Sequence, residues 1–202
     1  MTKDLVALVA DVCQEKVLEV LLEERSSALG VRPVSKDIYR HPRKDPGVFH
    51  EAAEFLRPHI GRYARALIVL DAAWTGAPTA ERMRQQLVDR VRSNGWDTDT
   101  LGITIIEPEL EAWVWGRSDV VPRVLRTSWE SIRSVADRGR WWPSDRPKPT
   151  HPKELLQEML RRERRPLSAA VFQSLARQVP LVGCRDRAFQ DLQALLQGWF
   201  PP

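Results

Sequence analysis

The chain reads as an α/β protein with a mostly parallel four-stranded sheet flanked by helices and followed by a C-terminal helical extension. Three observations carry this expectation. The runs at 5–10 and 66–70 are continuously apolar and end at charged residues, as strands buried on both faces do. Through residue 116, such runs alternate with stretches whose apolar residues fall three and four apart. Beyond 116 the strand signals fade and only helical spacing recurs.

Taken in order, residues 5–10 form the first strand, and over 15–24 the positions of Val17, Leu18, Leu21 and Leu22 mark a helix. Residues 31–39, with Val34 and Ile38 among polar neighbours, read as the second strand. Residues 49–60 read as the second helix, with Asp45, Pro46 and Gly47 as its lead-in turn. The third strand, 66–70, stops at Asp71 ahead of a loop from Trp74 to Pro78. Met83, Leu87 and Val91 line one side of a helix that stops near Asn94 and Gly95. Residues 101–106 are the fourth strand, and Pro108 suits the first position of a helix carrying Leu110, Trp113 and Val114 on one side. This alternation predicts parallel pairing with right-handed crossovers. Three further helical patterns, Leu155 with Met159, Val171 with Leu175, and Phe189 with Leu192 and Leu196, follow a Pro-rich stretch at 142–152. The expected organisation is an α/β domain over 1–116 and a helical subdomain over 117–202.

A chain of 202 residues can bury a sizeable core without an oligomer, and 43% apolar with 29% charged residues is the balance of a folded protein. The apolar run before Asp11 is only six residues long, too short for a secretory core or a membrane span, so a cytoplasmic location is expected. Cys13 and Cys184 form no CxxC or Cys/His spacing, which argues against a disulfide framework or a zinc site. Residues 1–116 hold 15 basic and 18 acidic side chains, a net −3, whereas 117–202 hold 16 and 9, a net +7. An acidic part joined to a basic part suits a polyanionic partner, although an Arg-rich solvated helix face gives the same count.

In parallel α/β sheets, ligands bind beyond the carboxyl ends of the strands. Asp11, Asp71 and Glu107 fall at that end of strands one, three and four. Carboxylates gathered in one place raise each other's pKa unless a cation compensates, and magnesium is a natural compensator, bound through one or two carboxylates with water and phosphate. Asp11 and Glu15 also suit the N-terminus of a helix, and Asp71 suits a turn. Glu107 and Glu111, four apart, share a face of the expected helix, with Glu109 pointing elsewhere. Trp113 and Trp115 read as core or rim packing.

The order Val9-Ala10-Asp11-Val12-Cys13-Gln14-Glu15, Val69-Leu70-Asp71, then Glu107-Pro108-Glu109-Leu110-Glu111-Ala112-Trp113 resembles a Toprim-like family of bacterial anti-phage defence proteins. The nearest likeness is to the small Toprim-like component of methylation-associated defence systems, and it extends to His151-Pro152-Lys153, 168–175 and 184–200. The resemblance implies a Toprim/Rossmann-like sheet. It also implies a magnesium site, with manganese as substitute, in which Asp11 takes the place of the family's first glutamate, Asp71 that of the first aspartate of Asp-x-Asp, and Glu15 that of a second acid. Two positions depart from the pattern: Val12 replaces a glycine and Ala73 the second aspartate. Glu109 or Glu111 is the expected replacement.

Two functions follow as expectations. The first is a metal-dependent nuclease of a defence system, with Asp11, Glu15, Asp71, Glu109 and Glu111 catalytic and the metal held by Asp11, Asp71, Glu107 and Glu111. Nucleic acid would be steered by Arg43, Lys44, Lys148 and Lys153, with His41, Arg140 and Arg146 nearby. The second is a non-catalytic scaffold that binds operon partners or nucleic acid, favoured by Ala73 and by histidines that form no acid/base motif. A nucleophile elbow and a P-loop are both missing from the sequence.

Overall fold

The computed structural model describes residues 2–116 and 118–202. Strands β1 (Lys3–Val9), β2 (Lys36–Arg40), β3 (Tyr63–Asp71) and β4 (Leu101–Ile106) form one sheet in the order β2-β1-β3-β4, with every pairing parallel. Register aligns Leu8 with Ile68, and Ile68 with Ile103. The α/β Rossmann-like architecture expected from the alternation is therefore present.

Strand periodicity divides the core into two layers. Leu5, Ala7, Val9, Leu67 and Val69 face one side, and Val6, Leu8, Ala10, Ala66, Ile68 and Leu70 the other. The second side is covered by α3 (Lys44–Leu56) and α4 (Ala80–Ser93), through Val48, Phe49, Leu56, Met83, Leu87 and Val91. The first is covered by α1 (Val12–Glu19), the π-helical turn that continues it (Val20–Glu24), and the C-terminal helices.

After residue 116 the described chain is helical: α5 (Val120–Leu125), α6 (Trp129–Gly139), α7 (Pro152–Arg162), α8 (Ala169–Gln178) and α9 (Arg187–Trp199) follow the short α2 (Ser26–Leu29) and the α/β helices in chain order. These helices are built into the protein, not set apart from it. Ile132, Leu155, Phe172 and Leu196 belong to the same apolar cluster as Leu5, Leu67 and Trp115. Helix α9 lies directly on β4, where Gly102 makes room for it: a Cβ there would meet Leu195 Cδ2 at 2.3 Å and Trp199 Cη2 at 2.6 Å. Arg25 Nη1 clamps the end of α8 by donating to the carbonyls of Ala176 and Val179.

Several local expectations shift. Residues 31–35 take no regular secondary structure, and β2 begins only at Lys36, past Pro33. Helix α3 starts at Lys44, so Asp45 sits in its first turn, and a 3-10 turn (Arg57–His59) takes over at its end. No α-helix starts at Pro108. The Pro108 carbonyl accepts the amides of Ala72 and Ala73, and the Leu110 amide donates to Asp71, so this backbone is stitched to the end of β3 and only a 3-10 turn (Leu110–Trp113) forms. Among the described residues, no helix is long and apolar enough to cross a membrane.

Candidate functional site

Connections from β1 and β3 leave in opposite directions across the sheet, because β2 lies on one flank and β4 on the other. The crevice beyond the carboxyl ends of β1 and β3 is thus the topological switch point, where α/β sheets bind ligands. Asp11 and Asp71 stand on its two sides.

Asp11 caps α1: with its backbone extended (φ −148°), its Oδ1 accepts the amides of Cys13 and Gln14 at 2.8 and 3.0 Å. Gln14 then bridges the crevice. Its Oε1 accepts the Ala10 amide at 2.9 Å, while its Nε2 donates to Asp71 Oδ1 at 2.9 Å. The same Asp71 oxygen accepts the Leu110 amide at 3.1 Å, and the Asp71 amide donates to Asp45 Oδ1 at 2.8 Å. Helices α1 and α3 and the turn after β4 therefore converge on Asp71, α1 and the turn on its carboxylate and α3 on its amide.

Burial holds the Asp71 carboxyl well above the ordinary aspartate range, and the charges of Asp45, Glu111 and Asp11 push it further. Asp45 is raised chiefly by burial, against the lowering effect of the Asp71 amide. Burial also raises Glu111, to about 7; Lys153 opposes that rise and Glu109 adds to it. The Cys13 thiol, half-buried beside Asp11, Glu111 and Asp71, is pushed up to about 12 by burial and by those charges, which makes it an inert neighbour and not a nucleophile.

The structure brings together Asp11, Asp71, Glu109 and Glu111 among the acids expected at the site, and leaves Glu107 outside. Glu15 stands at its rim, where it pairs with Arg40 at 3.0 Å in a depression at the end of β2 lined also by Asp11, Tyr39, His41 and Lys44. Glu107 is exposed and lines a separate hollow with Arg84 and Asp191. Glu107 and Glu111 accordingly do not share a helix face. Glu109 is extended and Glu111 lies in the 3-10 turn, and both turn inward, 8% and 5% exposed.

The basic candidates divide in the same way. Lys148 is committed to the fold: its Nζ donates to Asp186 Oδ2 at 2.7 Å and to the Ala112 carbonyl at 2.8 Å, while Trp113 Nε1 donates to Asp186 Oδ1. Lys153 reaches Glu109 Oε2 at 3.1 Å and points into the carboxylates. Arg43 pairs with Glu51, and buried His41 is held between the Arg43 amide and Glu51. Lys44 remains exposed at the start of α3.

Two residues escaped the sequence reading. Asp45 supplies the carboxylate neighbour of Asp71 that Ala73 does not, and Gln14 ties the two strand ends together. The polar Gln14 inside an otherwise apolar helix face was the one available signal.

The donor set suits a hard divalent cation in kind. The hydrogen bonds that the Cys13, Gln14 and Leu110 amides and the Gln14 side chain donate to Asp11 and Asp71 fall on Oδ1 of each. Among the described residues, no three His, Cys, Asp or Glu side chains stand close enough to grip an ion by themselves. Magnesium held through one or two carboxylates, with water and substrate phosphate completing its shell, is compatible with both facts. Comparison with protein-family models, curated proteins and solved structures finds no match to this chain.

Proposed function

We propose that the chain is a divalent-cation-dependent phosphoryl-transfer enzyme acting on nucleic acid, a nuclease of the Toprim-like, anti-phage kind that the sequence resembles. The observation that supports this reading most is the placement of Asp71. It is a deeply buried carboxyl at the switch point, with Asp11, Asp45 and Glu111 around it and one facing ammonium, Lys153. Such a cluster is costly to ionise, and a protein keeps it where a cation is to be neutralised. When bound, magnesium or manganese would supply Lewis-acid stabilisation of a phosphate and an activated water.

The chain's own residues would do the rest. Asp71 and Asp11 would hold the ion on opposite sides of the crevice, with Asp45 beside Asp71. Gln14 and the Leu110 amide fix the rotamer of Asp71 through its Oδ1. Glu111, with a carboxyl near neutrality, is suited to accept or return a proton during hydrolysis. Exposed Lys44 at the rim is placed to meet a phosphate.

The test is titration with manganese followed by incubation of DNA and of RNA with the loaded protein. The wild type should bind the ion and cleave one of the substrates, and Asp71→Asn should lose at least about 100-fold in cleavage while keeping its fold. If millimolar manganese does not bind and both nucleic acids survive, the enzyme reading falls. The scaffold reading, in which the chain binds operon partners or nucleic acid without cutting, then takes its place. Ala73, exposed and carrying no acid, favours that second reading.

A further inference from the structure

Among the described residues, the four non-glycine residues with positive φ are all basic: Lys44, Arg126, Arg140 and Arg164, at 50°, 58°, 56° and 52°. Left-handed backbone crowds a Cβ against the following carbonyl, so glycine is the residue such a helix end ordinarily takes. Lys44 lies at the rim of the site described above, whereas Arg126 and Arg164 follow the ends of α5 and α7. Those two ends are joined, because Arg165 Nη1 donates to the Val124 carbonyl at 2.7 Å. Over 123–126 and 161–165 stand six arginines and one acid, Glu163. Glu158, a turn back on α7, is already shared by Arg161 and Arg162, at 2.7 and 2.9 Å. Arg123, Arg126 and Arg164 are exposed, and Arg123 donates to the neutral Gln178 Oε1 at 3.1 Å.

We propose that the joined ends of α5 and α7 form a surface that grips the phosphate backbone of nucleic acid, through Arg126 and Arg164 together with Arg123, Arg161 and Arg162. The proposal rests on the reading of the partner as nucleic acid, and is independent of metal and of cleavage. A guanidinium presents a planar fork that matches phosphate oxygens, and arginines set on two neighbouring turns fit a row of phosphates better than a single small anion. The local backbone favours glycine at 126 and 164, so what arginine adds there is its charge. The helix dipole accounts for a small, salt-screened part of that gain at an exposed position, and a polyanion accounts for the rest. The surface also lies within reach of the carboxylates. Helix α7 meets Glu109 through Lys153 and ends at Arg162, nine residues on, which is about 14 Å at the helical rise. Along one strand of a duplex that distance is about four phosphates.

The experiment is fluorescence anisotropy of the full chain in EDTA, with a short labelled DNA duplex and a short labelled RNA strand, repeated across a salt titration. It compares the wild type with the double variants Arg126→Gly/Arg164→Gly and Arg126→Lys/Arg164→Lys. The wild type should bind at least one of the nucleic acids, and the glycine variant about tenfold more weakly, with a salt slope shallower by about 2. The lysine variant should keep the wild-type slope. The glycine variant should melt close to the wild type, because glycine accepts the left-handed backbone without crowding. Binding of neither nucleic acid by the wild type overturns the proposal, as does equal binding by the glycine variant. Binding weakened by glycine and restored by lysine supports it whether or not the wild type cleaves in manganese. Cleavage by a glycine variant that binds as tightly as the wild type overturns it and spares the enzymatic reading. If the glycine variant does not melt cooperatively, Arg126→Asn/Arg164→Asn, which also tolerates positive φ, provides the same comparison.

Discussion

Gln14 and Glu111 show how far single side chains set the character of this protein. Gln14 satisfies the Ala10 amide just past β1 and the carboxylate at the end of β3 with its two amide atoms, so one neutral residue ties the two sides of the crevice together. Glu111 does the opposite: it brings a charge to a place where charge is disfavoured. Its carboxyl titrates near 7, against about 4.5 in the unfolded chain. The folded state therefore binds its proton more tightly. No penalty exists below the unfolded value, and it grows as pH rises through the window between the two and is complete above about 7. Glu111→Gln should accordingly stabilise the ion-free protein by up to about 3 kcal/mol near pH 8 and by nothing near pH 4. Urea denaturation at the two pH values checks this, and a constant difference would mean that Glu111 does not titrate in the window. Asp11 and Asp71 were legible in the sequence because a charge directly after a continuous apolar run marks the end of a buried strand. Asp45 was not. It lies in an Asp-Pro-Gly stretch that reads as a turn, and only the packing of α3 on β3 carries it to the Asp71 amide.

At the level of elements, the strands announced themselves and the connections did not. The middles of β1 and β3, at 5–9 and 66–70, are apolar without interruption, and β4 breaks its run only at Thr104, because both faces of the sheet are covered. The segment after β4 was misjudged because a proline followed by spaced apolar residues has the pattern of a helix start. Its backbone groups instead find partners on β3, and the whole stretch from Glu109 to Ala112 is buried there, Glu109 and Glu111 included. Helix α9 depends on a missing side chain. Gly102→Val would drive a branched side chain into Leu195 and Trp199, and should cost about 1–3 kcal/mol in thermal or urea unfolding. A smaller change in Leu195, such as Leu195→Ala, made together with Gly102→Ala, should recover part of the loss.

Across the whole molecule, the helical portion is the second wall of the sheet. One apolar cluster runs from Leu5 and Val69 through Trp115 to Phe172 and Leu196, and the C-terminal end is tied back by the Arg32 amide donating to the Phe200 carbonyl. A fragment of residues 1–116 should therefore fail to unfold cooperatively and should aggregate or bind hydrophobic dyes, whereas the full chain gives a single transition. A sharp melt from the fragment would show that residues 1–116 form an independent unit. The helical character of residues past 116 was legible, because spacing reports on it locally. Their attachment was not, because the partners of Phe172 and Leu196 lie some 150 residues away in the chain.

That attachment also has a consequence for synthesis. The ribosome delivers the chain from its N-terminal end, so β1, β3 and β4 can align while one face of their sheet, with Leu5, Ala7, Val9, Leu67 and Val69, is covered only in part, by α1 and the turn that continues it. This face stays open to other nascent chains until α8 and α9 emerge, and the interval is when aggregation is most favoured. Cells making this protein are thus expected to need chaperone holding during translation more than they need help with refolding afterwards.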